Sequence, residues 1–237
     1  MSSENKPNTE MNWLSEIRKI LSCIEEQKGV RVDLIRIPLD DKETLDLFTK
    51  GDTEGVIGFG SPDMQKYLKQ LKPNCFEDLM TLCALYGAGG IFIPVIRDML
   101  LEYIERKTGK LEMDNIHPDV DPVILPTCGM IVYQEQVTEI LSRIAGYSTE
   151  DAEVVRRMLA KRNPEKMEKI EPEFFCRCNS RGYSELTTRL VWNLMLLYAG
   201  LAGRKDLVSL YTFRAYQFAY LKAHFKQEFY AVMASVN

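Results

Sequence analysis

The stretch Ser61–Leu71, SPDMQKYLKQL, carries the clearest local structure signals in this sequence. Serine followed by proline is a favoured helix start, because the serine hydroxyl caps the first turn and proline fits its first position. The apolar residues that follow are spaced by three or four positions, as on one face of a helix; they are Met64, Tyr67, Leu68 and Leu71. The stretch therefore predicts an amphipathic helix.

The same spacing continues on both sides of this stretch. Before it, helices are predicted from Trp13 to about Gly29 and from Glu43 to Phe48. After it, a helix is predicted from the Asn74 cap to Tyr86. Further helices are predicted over Pro94 to about Lys107, Tyr133–Ala145, Ser148–Arg162, Glu185–Leu201 and Leu207 to about Ser235. Two short pieces, Val30–Leu34 and Gly55–Phe59, look extended. We therefore predict a mainly α fold with one or two short extended segments.

The domain organisation predicted from these patterns is simple. Residues 1–11 are a polar tail, and residues 12–237 form one helical domain with a mobile loop at about 108–128, where prolines interrupt the periodicity. The predicted core consists of Leu14, Ile17, Ile20, Leu68, Leu82, Ile140, Ile144, Leu190, Leu194, Leu197, Phe213, Tyr216 and Leu221.

Composition excludes several classes of protein. With 46% hydrophobic and 27% charged residues, the chain is neither disordered nor collagen-like nor a coiled coil. Its formal net charge of −4 argues against non-specific wrapping of nucleic acid, but leaves room for a local basic cleft. The tail Met1–Glu10 lacks the apolar segment of a signal peptide. We expect a cytoplasmic protein with no membrane association.

The cysteines predict neither disulfides nor a metal site. Six cysteines and two histidines are present, and Cys176 and Cys178 are one residue too close together for the usual zinc-binding pair. We expect all six thiols to be reduced and no metal to be bound.

Two other motifs are weak candidates for chemistry. Asp119 and Asp121 could hold divalent cations if they lay on one face of a strand. They lie between two prolines, however, which favours a solvated turn. The glycine-rich run Gly87–Gly90 could approach a phosphate, but it matches no phosphate-binding fingerprint, and a plain helix end explains it better.

The basic residues at the end of the Ser148–Arg162 helix are the strongest candidates for a site. Arg157 and Lys161 are four positions apart and share a helix face, with Arg156 and Arg162 at its edges. Such a cluster suits a triphosphate or a nucleic-acid backbone. Cations near a helix C-terminus can equally serve only the helix dipole. The pattern alone leaves both interpretations open.

Blocks of this sequence resemble, in order, the fingers region of the bacterial DNA polymerase III alpha subunit, a C-family replicative polymerase. The resemblance extends from about Asn12 to Ala234. The matching blocks are Ile37–Asp41 (IPLDD), Ser61–Leu71, Pro73–Leu79, Ile131–Val137 (IVYQEQV), Ala145–Tyr147, Arg156–Arg157, Pro164–Met167 and Ala219–His224 (AYLKAH).

The resemblance implies a role in DNA replication. In that family the helical fingers close over the incoming nucleotide and templating base, and palm aspartates that bind Mg²⁺ transfer the nucleotide. Primer–template DNA and a deoxynucleoside triphosphate are the implied partners. The implied nucleotide- and phosphate-binding residues are Arg156, Arg157, Lys161, Arg162 and Lys205. We expect replacement of the arginine pair to weaken binding more than replacement of Lys161, with little effect on stability.

Departures from the family pattern leave alternatives open. The family's Arg-Pro-Gly-Pro turn is Gly87–Gly90 here, and its Asn-Lys-Ser-His segment is Arg204–Leu207, which keeps only the lysine. The family's palm aspartates have no counterpart in this chain, so no catalytic residue and no cofactor are assigned to it. We expect it to be inactive unless a separately encoded palm or another replisome subunit completes it. The alternative is a catalytically inactive helical remnant that binds DNA, nucleotide or protein.

Overall fold

The computed structural model describes residues 9–87 and 94–235, and this part of the chain consists mainly of helices joined by turns and loops. Its only β-bridge pairs Tyr133 with Gly203. The prediction of a mainly α fold is confirmed. The helices are α1 (Thr9–Lys28), α2 (Lys42–Lys50), α3 (Pro62–Leu71), α4 (Phe76–Gly87), α5 (Pro94–Lys107), α6 (Asp121–Ile124), α7 (Gln134–Ala145), α8 (Thr149–Lys161), α9 (Pro164–Ser180), α10 (Glu185–Tyr198), α11 (Lys205–His224) and α12 (Lys226–Met233).

The described residues group into two compact units. Those of Met1–Leu79 and Leu210–Asn237 form unit 1, and those of Met80–Ser209 form unit 2. No helix in the described ranges has the length and apolar character needed to cross a membrane.

Aromatic side chains from distant parts of the sequence build the core of unit 1. The ring of Phe48 packs edge-on against Phe59, with centroids 5.2 Å apart, and stacks on Tyr216 at 6.2 Å. Phe76 meets Tyr216 edge-on at 5.7 Å.

The helix start predicted at Ser61 is confirmed, because the Ser61 side chain accepts a hydrogen bond from the Met64 amide.

The segment Gly55–Phe59 is not extended as predicted. Backbone amides of Val56 and Phe59 donate to the carbonyls of Thr53 and Val56, which makes consecutive turns. Gly55 and Gly58 adopt φ values of 78° and 73°, a region that glycine enters without strain. The prediction of an extended segment at Gly55–Phe59 is therefore wrong.

Lys222 is a fully buried lysine of unit 1 whose ammonium is saturated with hydrogen bonds. Its Nζ donates to the carbonyl of Asp52 at 2.9 Å, to the Asp52 carboxylate at 2.8 Å and to the carbonyl of Glu54 at 3.0 Å. These acceptors match the three N–H donors of an ammonium group. Lys222 therefore fixes the Asp52–Glu54 segment against α11.

Asp41 caps α2 and also binds a histidine from α11. Its carboxylate accepts hydrogen bonds from the backbone amide and hydroxyl of Thr44, at 2.8 and 2.6 Å. It also contacts Nε2 of His224 at 2.9 Å. Burial alone would raise the pKa of this carboxyl, but the hydrogen bonds from Thr44 and His224 outweigh burial and lower the pKa.

We expect Asp41→Asn to lower the free energy of unfolding by about 1 kcal/mol at pH 7, because the amide keeps the cap but loses the charge. A depressed pKa in the folded state stabilises the protein above the unfolded value of about 3.9, and this contribution is lost as the pH falls through the folded pKa. Denaturant unfolding at pH 7 and pH 2.5 measures the difference. Asp46→Asn on the exposed face of α2 is the control. A penalty for Asp41→Asn that stays the same at both pH values would contradict this assignment.

The core of unit 2 includes an aromatic cluster between α9 and α10. Trp192 is 1% exposed and packs on Phe174 at 5.1 Å and on Phe175 at 6.3 Å between ring centroids. The sequence predicts no helix between Arg162 and Glu185, the interval that α9 occupies. Instead the Asn163 side chain caps α9, and Pro164 occupies its first turn.

Most of the predicted core is buried, but three members are exposed and two are half-buried. Leu14, Leu190 and Leu197 are exposed, so their assignment to the core is wrong. Leu194 and Phe213 are half-buried. The buried members are Ile17, Ile20, Leu68, Leu82, Ile140, Ile144, Tyr216 and Leu221.

Two boundaries also differ from the prediction. The single last helix is two helices, because α11 ends at His224 and α12 begins at Lys226. The predicted loop at about 108–128 contains α6 and a 3₁₀ turn, Leu125–Thr127. Proline occupies the first turn of each, where its missing N–H costs nothing.

The two cysteines of α9, which are two positions apart in sequence, have contrasting surroundings. Cys176 is exposed, whereas Cys178 is buried. Burial raises the pKa of the Cys178 thiol to about 11. Each is a free thiol.

Candidate functional site

The predicted basic cluster lies on α8, whose two ends are defined by specific caps. The Ser148 hydroxyl accepts from the Asp151 amide at 3.1 Å, as predicted for this helix start. Arg162 follows the last helical residue in the left-handed conformation, with φ of 48°. The apolar side of α8 is buried through Ala152, Val155 and Leu159, and this fixes which side chains point outward.

One carboxylate on α8 holds two of the predicted arginines. Glu153 accepts from Nε and Nη2 of Arg156, both at 2.8 Å, and from Nε of Arg157 at 2.8 Å. These residues are three and four positions apart, so the same helix face brings them together. The first contact is a bidentate pair, the strongest arrangement of a guanidinium and a carboxylate.

The shared carboxylate is strongly acidic. The hydrogen bond from Arg156, the hydrogen bond from Arg157 and the charges of both guanidinium groups lower the pKa of Glu153 to about 2. The same contact raises the pKa of Arg156. Glu153 and Arg156 are therefore both charged at neutral pH.

Arg156 differs from its neighbour in exposure. Its side chain is 9% exposed, whereas that of Arg157 is 67% exposed. The expectation that loss of Arg156 would leave stability unchanged assumed a solvated cation at a helix end. A buried, bidentate guanidinium does not fit that assumption, so we expect removal of Arg156 to lower stability as well.

The two arginines open onto a cavity of about 450 Å³ within unit 2. Three arginines and two glutamates line it, together with polar side chains of α7. The lining residues are Gln134, Glu135, Thr138, Glu153, Arg156, Arg157 and Arg204. The cavity is therefore rich in donors for an anion, although carboxylates also face it.

The start of α11 forms one edge of this site. The amide of Lys205 donates to both carboxylate oxygens of Glu135, at 3.1 and 3.2 Å. Arg204 pairs with Asp206 at 2.6 Å. The ammonium of Lys205 lies 5.7 Å from the ring centroid of Tyr133. The first turn of α11 is thus capped by a carboxylate from α7, an acceptor that favours a helix N-terminus.

The structure brings only part of the predicted set together. Arg156 and Arg157 line the cavity, and Lys161 is an exposed residue at the end of α8. Arg162 has a different contact: its Nη2 donates to the carbonyl of Leu196 at 2.5 Å, at the end of α10. Arg162 therefore caps a neighbouring helix, a contact that no sequence spacing could reveal.

Sequence reasoning missed five of the residues that line the cavity, and three of these are charged. Glu153 could have been found from its spacing of three and four positions to the arginines. In the sequence, Arg204 stands out only as the first residue of Arg204–Leu207, a segment that departs from the family pattern. Glu135 reaches the site from α7, 70 positions before Lys205, and no local signal predicts that contact.

The other candidate motifs have structural explanations. The Asp121 carboxylate accepts from the amides of Ile116 and His117, at 2.8 and 3.1 Å, and the Asp119 carboxylate accepts from the Tyr183 hydroxyl at 2.6 Å. This favours the turn over a metal-binding pair. The glycine-rich run lies mostly outside the described residues, since only Gly87, the last residue of α4, is described.

Comparison with known proteins agrees with the resemblance found in the sequence. The profile described as "Bacterial DNA polymerase III alpha subunit finger domain" matches residues 13–182. DNA polymerase III subunit alpha of Halalkalibacterium halodurans is 35% identical over 94% of this chain, and that of Pseudomonas aeruginosa is 35% identical over 97%. The protein of the same name from Aquifex aeolicus is 33% identical over 94%. This chain spans 19% of the length of each of the three.

Proposed function

Because the chain belongs to the bacterial DNA polymerase III alpha subunit finger domain family, we propose that its unit 2 binds phosphates of DNA or of an incoming deoxynucleoside triphosphate during replication. The observation that carries the proposal is the exposed Arg157 at a cavity that Arg156 and Arg204 also line. Arginine is suited to this role because its planar fork donates two parallel hydrogen bonds to one phosphate.

The exposed arginine is the best phosphate ligand of the set. Arg157 donates to Glu153 through its Nε alone, so its terminal nitrogens Nη1 and Nη2 remain available to a ligand. Lys161 is four positions further along α8 and adds a point charge on that face. Lys205 lies beside Arg204 at the start of α11. We assign phosphate contacts to Arg157, Lys161 and Lys205, and give Arg162 a structural role.

Template-directed synthesis needs more than this site supplies. We propose that the chain acts in the cytoplasm with a palm that provides the metal-binding aspartates and the Mg²⁺ ions of nucleotidyl transfer. In this proposal the fingers position the triphosphate and the template, and the palm performs the chemistry. The three aligned polymerases contain about five times the length of this chain, consistent with such a division.

A second candidate function is a protein-binding remnant without polymerase activity. The observation that favours it is a leucine face on α10: Leu186, Leu190 and Leu197 are all exposed. The cations of α8 also have internal partners, Glu153 for Arg156 and a backbone carbonyl for Arg162. A chain that binds neither DNA nor triphosphate at low salt would support this alternative.

The proposal is tested by replacing Arg157 with alanine. We expect a fluorescein-labelled primer–template to bind the wild-type protein with an affinity that falls linearly with salt on logarithmic axes, as phosphate contacts require. Loss of Arg157 should weaken binding about 10-fold or more and reduce that slope by about 0.9, the share of one phosphate. Fluorescence anisotropy at several salt concentrations measures both.

Arg189→Ala is the matched control for this experiment. Arg189 is an exposed arginine of unit 2 that also pairs with a glutamate four positions away, but it does not line the cavity. Its loss should change affinity by less than twofold. Equal effects of the two variants would refute the assignment of the cavity as the phosphate site.

A further inference from the structure

We infer that Glu153 is a positioning residue that holds Arg157 in the orientation in which it receives a phosphate, with Arg156 as a buried anchor rather than a ligand. This inference rests on the proposed function of the cavity. It assigns three different tasks to three neighbouring residues of α8, two of which carry the same side chain.

The anchor role of Arg156 follows from its burial and its geometry. Its Nε and Nη2 both point at Glu153, so the fork that would bind phosphate bidentately is already occupied by a carboxylate. Only 9% of its side chain is exposed. A phosphate group would have to break a bidentate ion pair and displace the surrounding chain to take its place.

The ligand role of Arg157 follows from the same contacts. Its Nε is fixed by Oε1 of Glu153 at 2.8 Å, while two thirds of its side chain is exposed. A long side chain that is already held loses less conformational freedom on binding, and this raises affinity without adding a contact. The anchor also matters, because Arg156 keeps the Glu153 carboxylate in the rotamer that reaches Arg157.

Glu153 also carries a negative charge, which repels phosphate, and the two effects can be separated. Glu153→Asp keeps the charge but shortens the side chain by one methylene, so the carboxylate can no longer reach both guanidinium groups. Glu153→Gln removes the charge. If Glu153 only repelled phosphate, Glu153→Gln would bind phosphate more tightly than the wild type, and Glu153→Asp would bind it equally well.

We expect Glu153→Asp to weaken binding of inorganic tripolyphosphate and of labelled primer–template about 3- to 10-fold. The salt dependence should keep its slope, because the same phosphates are still neutralised. Arg157→Ala should lower both the affinity and the slope. Glu150→Asp, an exposed glutamate at the start of the same helix, is the control and should match the wild type.

A spectroscopic arm separates positioning from a general loss of fold. In nitrogen-15 spectra the Nε–H of Arg157 should show slow exchange with solvent in the wild type and fast exchange in Glu153→Asp, while the backbone amide spectrum stays the same. Equal affinity of Glu153→Asp and Glu150→Asp would overturn the inference. So would tighter binding by Glu153→Gln with an unchanged Glu153→Asp.

If the proposed function itself is wrong, the binding experiments give a different result. If the wild-type protein binds neither probe at low salt, the inference falls together with the phosphate site. The protected Nε–H of Arg157 would then show that the ion pair is purely structural.

Discussion

Replacing Trp192 by alanine is expected to lower the free energy of unfolding of unit 2 by about 3–5 kcal/mol, the usual cost of deleting a large buried aromatic side chain. The indole ring is 1% exposed and packs on Phe174 and Phe175, so its removal leaves a cavity between α9 and α10. Chemical denaturation followed by circular dichroism measures the loss.

Two further variants test the orientation of α10. Leu190→Ala, from the exposed face two positions earlier, should cost less than about 1 kcal/mol. Trp192→Phe should lower stability less than Trp192→Ala, because phenylalanine still places an aromatic ring there. It also removes an indole N–H that has no partner among the described residues. A larger loss for Leu190→Ala than for Trp192→Ala would show that α10 is turned the other way.

Replacing Lys222 by methionine is expected to destabilise unit 1 by about 2–4 kcal/mol, because two backbone carbonyls lose their charged donor. The methionine fills a similar volume, so the effect reports the hydrogen bonds to Asp52 and Glu54 rather than a cavity. The two tryptophans help here: Trp13 lies in unit 1 and Trp192 in unit 2. In a Trp192→Phe background, fluorescence follows unit 1 alone.

Lys226→Met is the matched control for Lys222. Lys226 is exposed at the start of α12, so its replacement should change stability by less than about 0.5 kcal/mol. If the two methionine variants unfold at the same denaturant concentration, Lys222 does not hold the Asp52–Glu54 segment in solution.

Helix starts were the features most open to prediction from sequence. Ser61 and Ser148 each cap a helix as expected, because capping depends on neighbouring residues alone. The buried face of α10 was predicted wrongly because residues 194–199 are all apolar and no period selects a face. Phe174 and Phe175 of α9 contact Trp192 and so select the buried face of α10, and α9 is a helix that the sequence pattern does not predict.

The part of the candidate site that depends on residues close together in sequence was predictable, and the part that depends on distant residues was not. Arg156 and Arg157 stand out as a basic pair, and their spacing to Glu153 is local information. The contact of Arg162 with α10 and that of Glu135 with α11 join residues 34 and 70 positions apart. Only the folded chain shows that one cation of the cluster caps a neighbouring helix, one is almost buried and two are exposed.

The two thiols of α9 should react with electrophiles at very different rates. A thiol with a pKa of about 11 is ionised in on the order of one molecule in a thousand at pH 8. Cys178 is also shielded from reagents, whereas Cys176, two residues before it, faces solvent. Brief alkylation at pH 8 should therefore label Cys176 well before Cys178. Mass spectrometry of the peptide that contains both would report opening of the α9–α10 packing as a rising second modification.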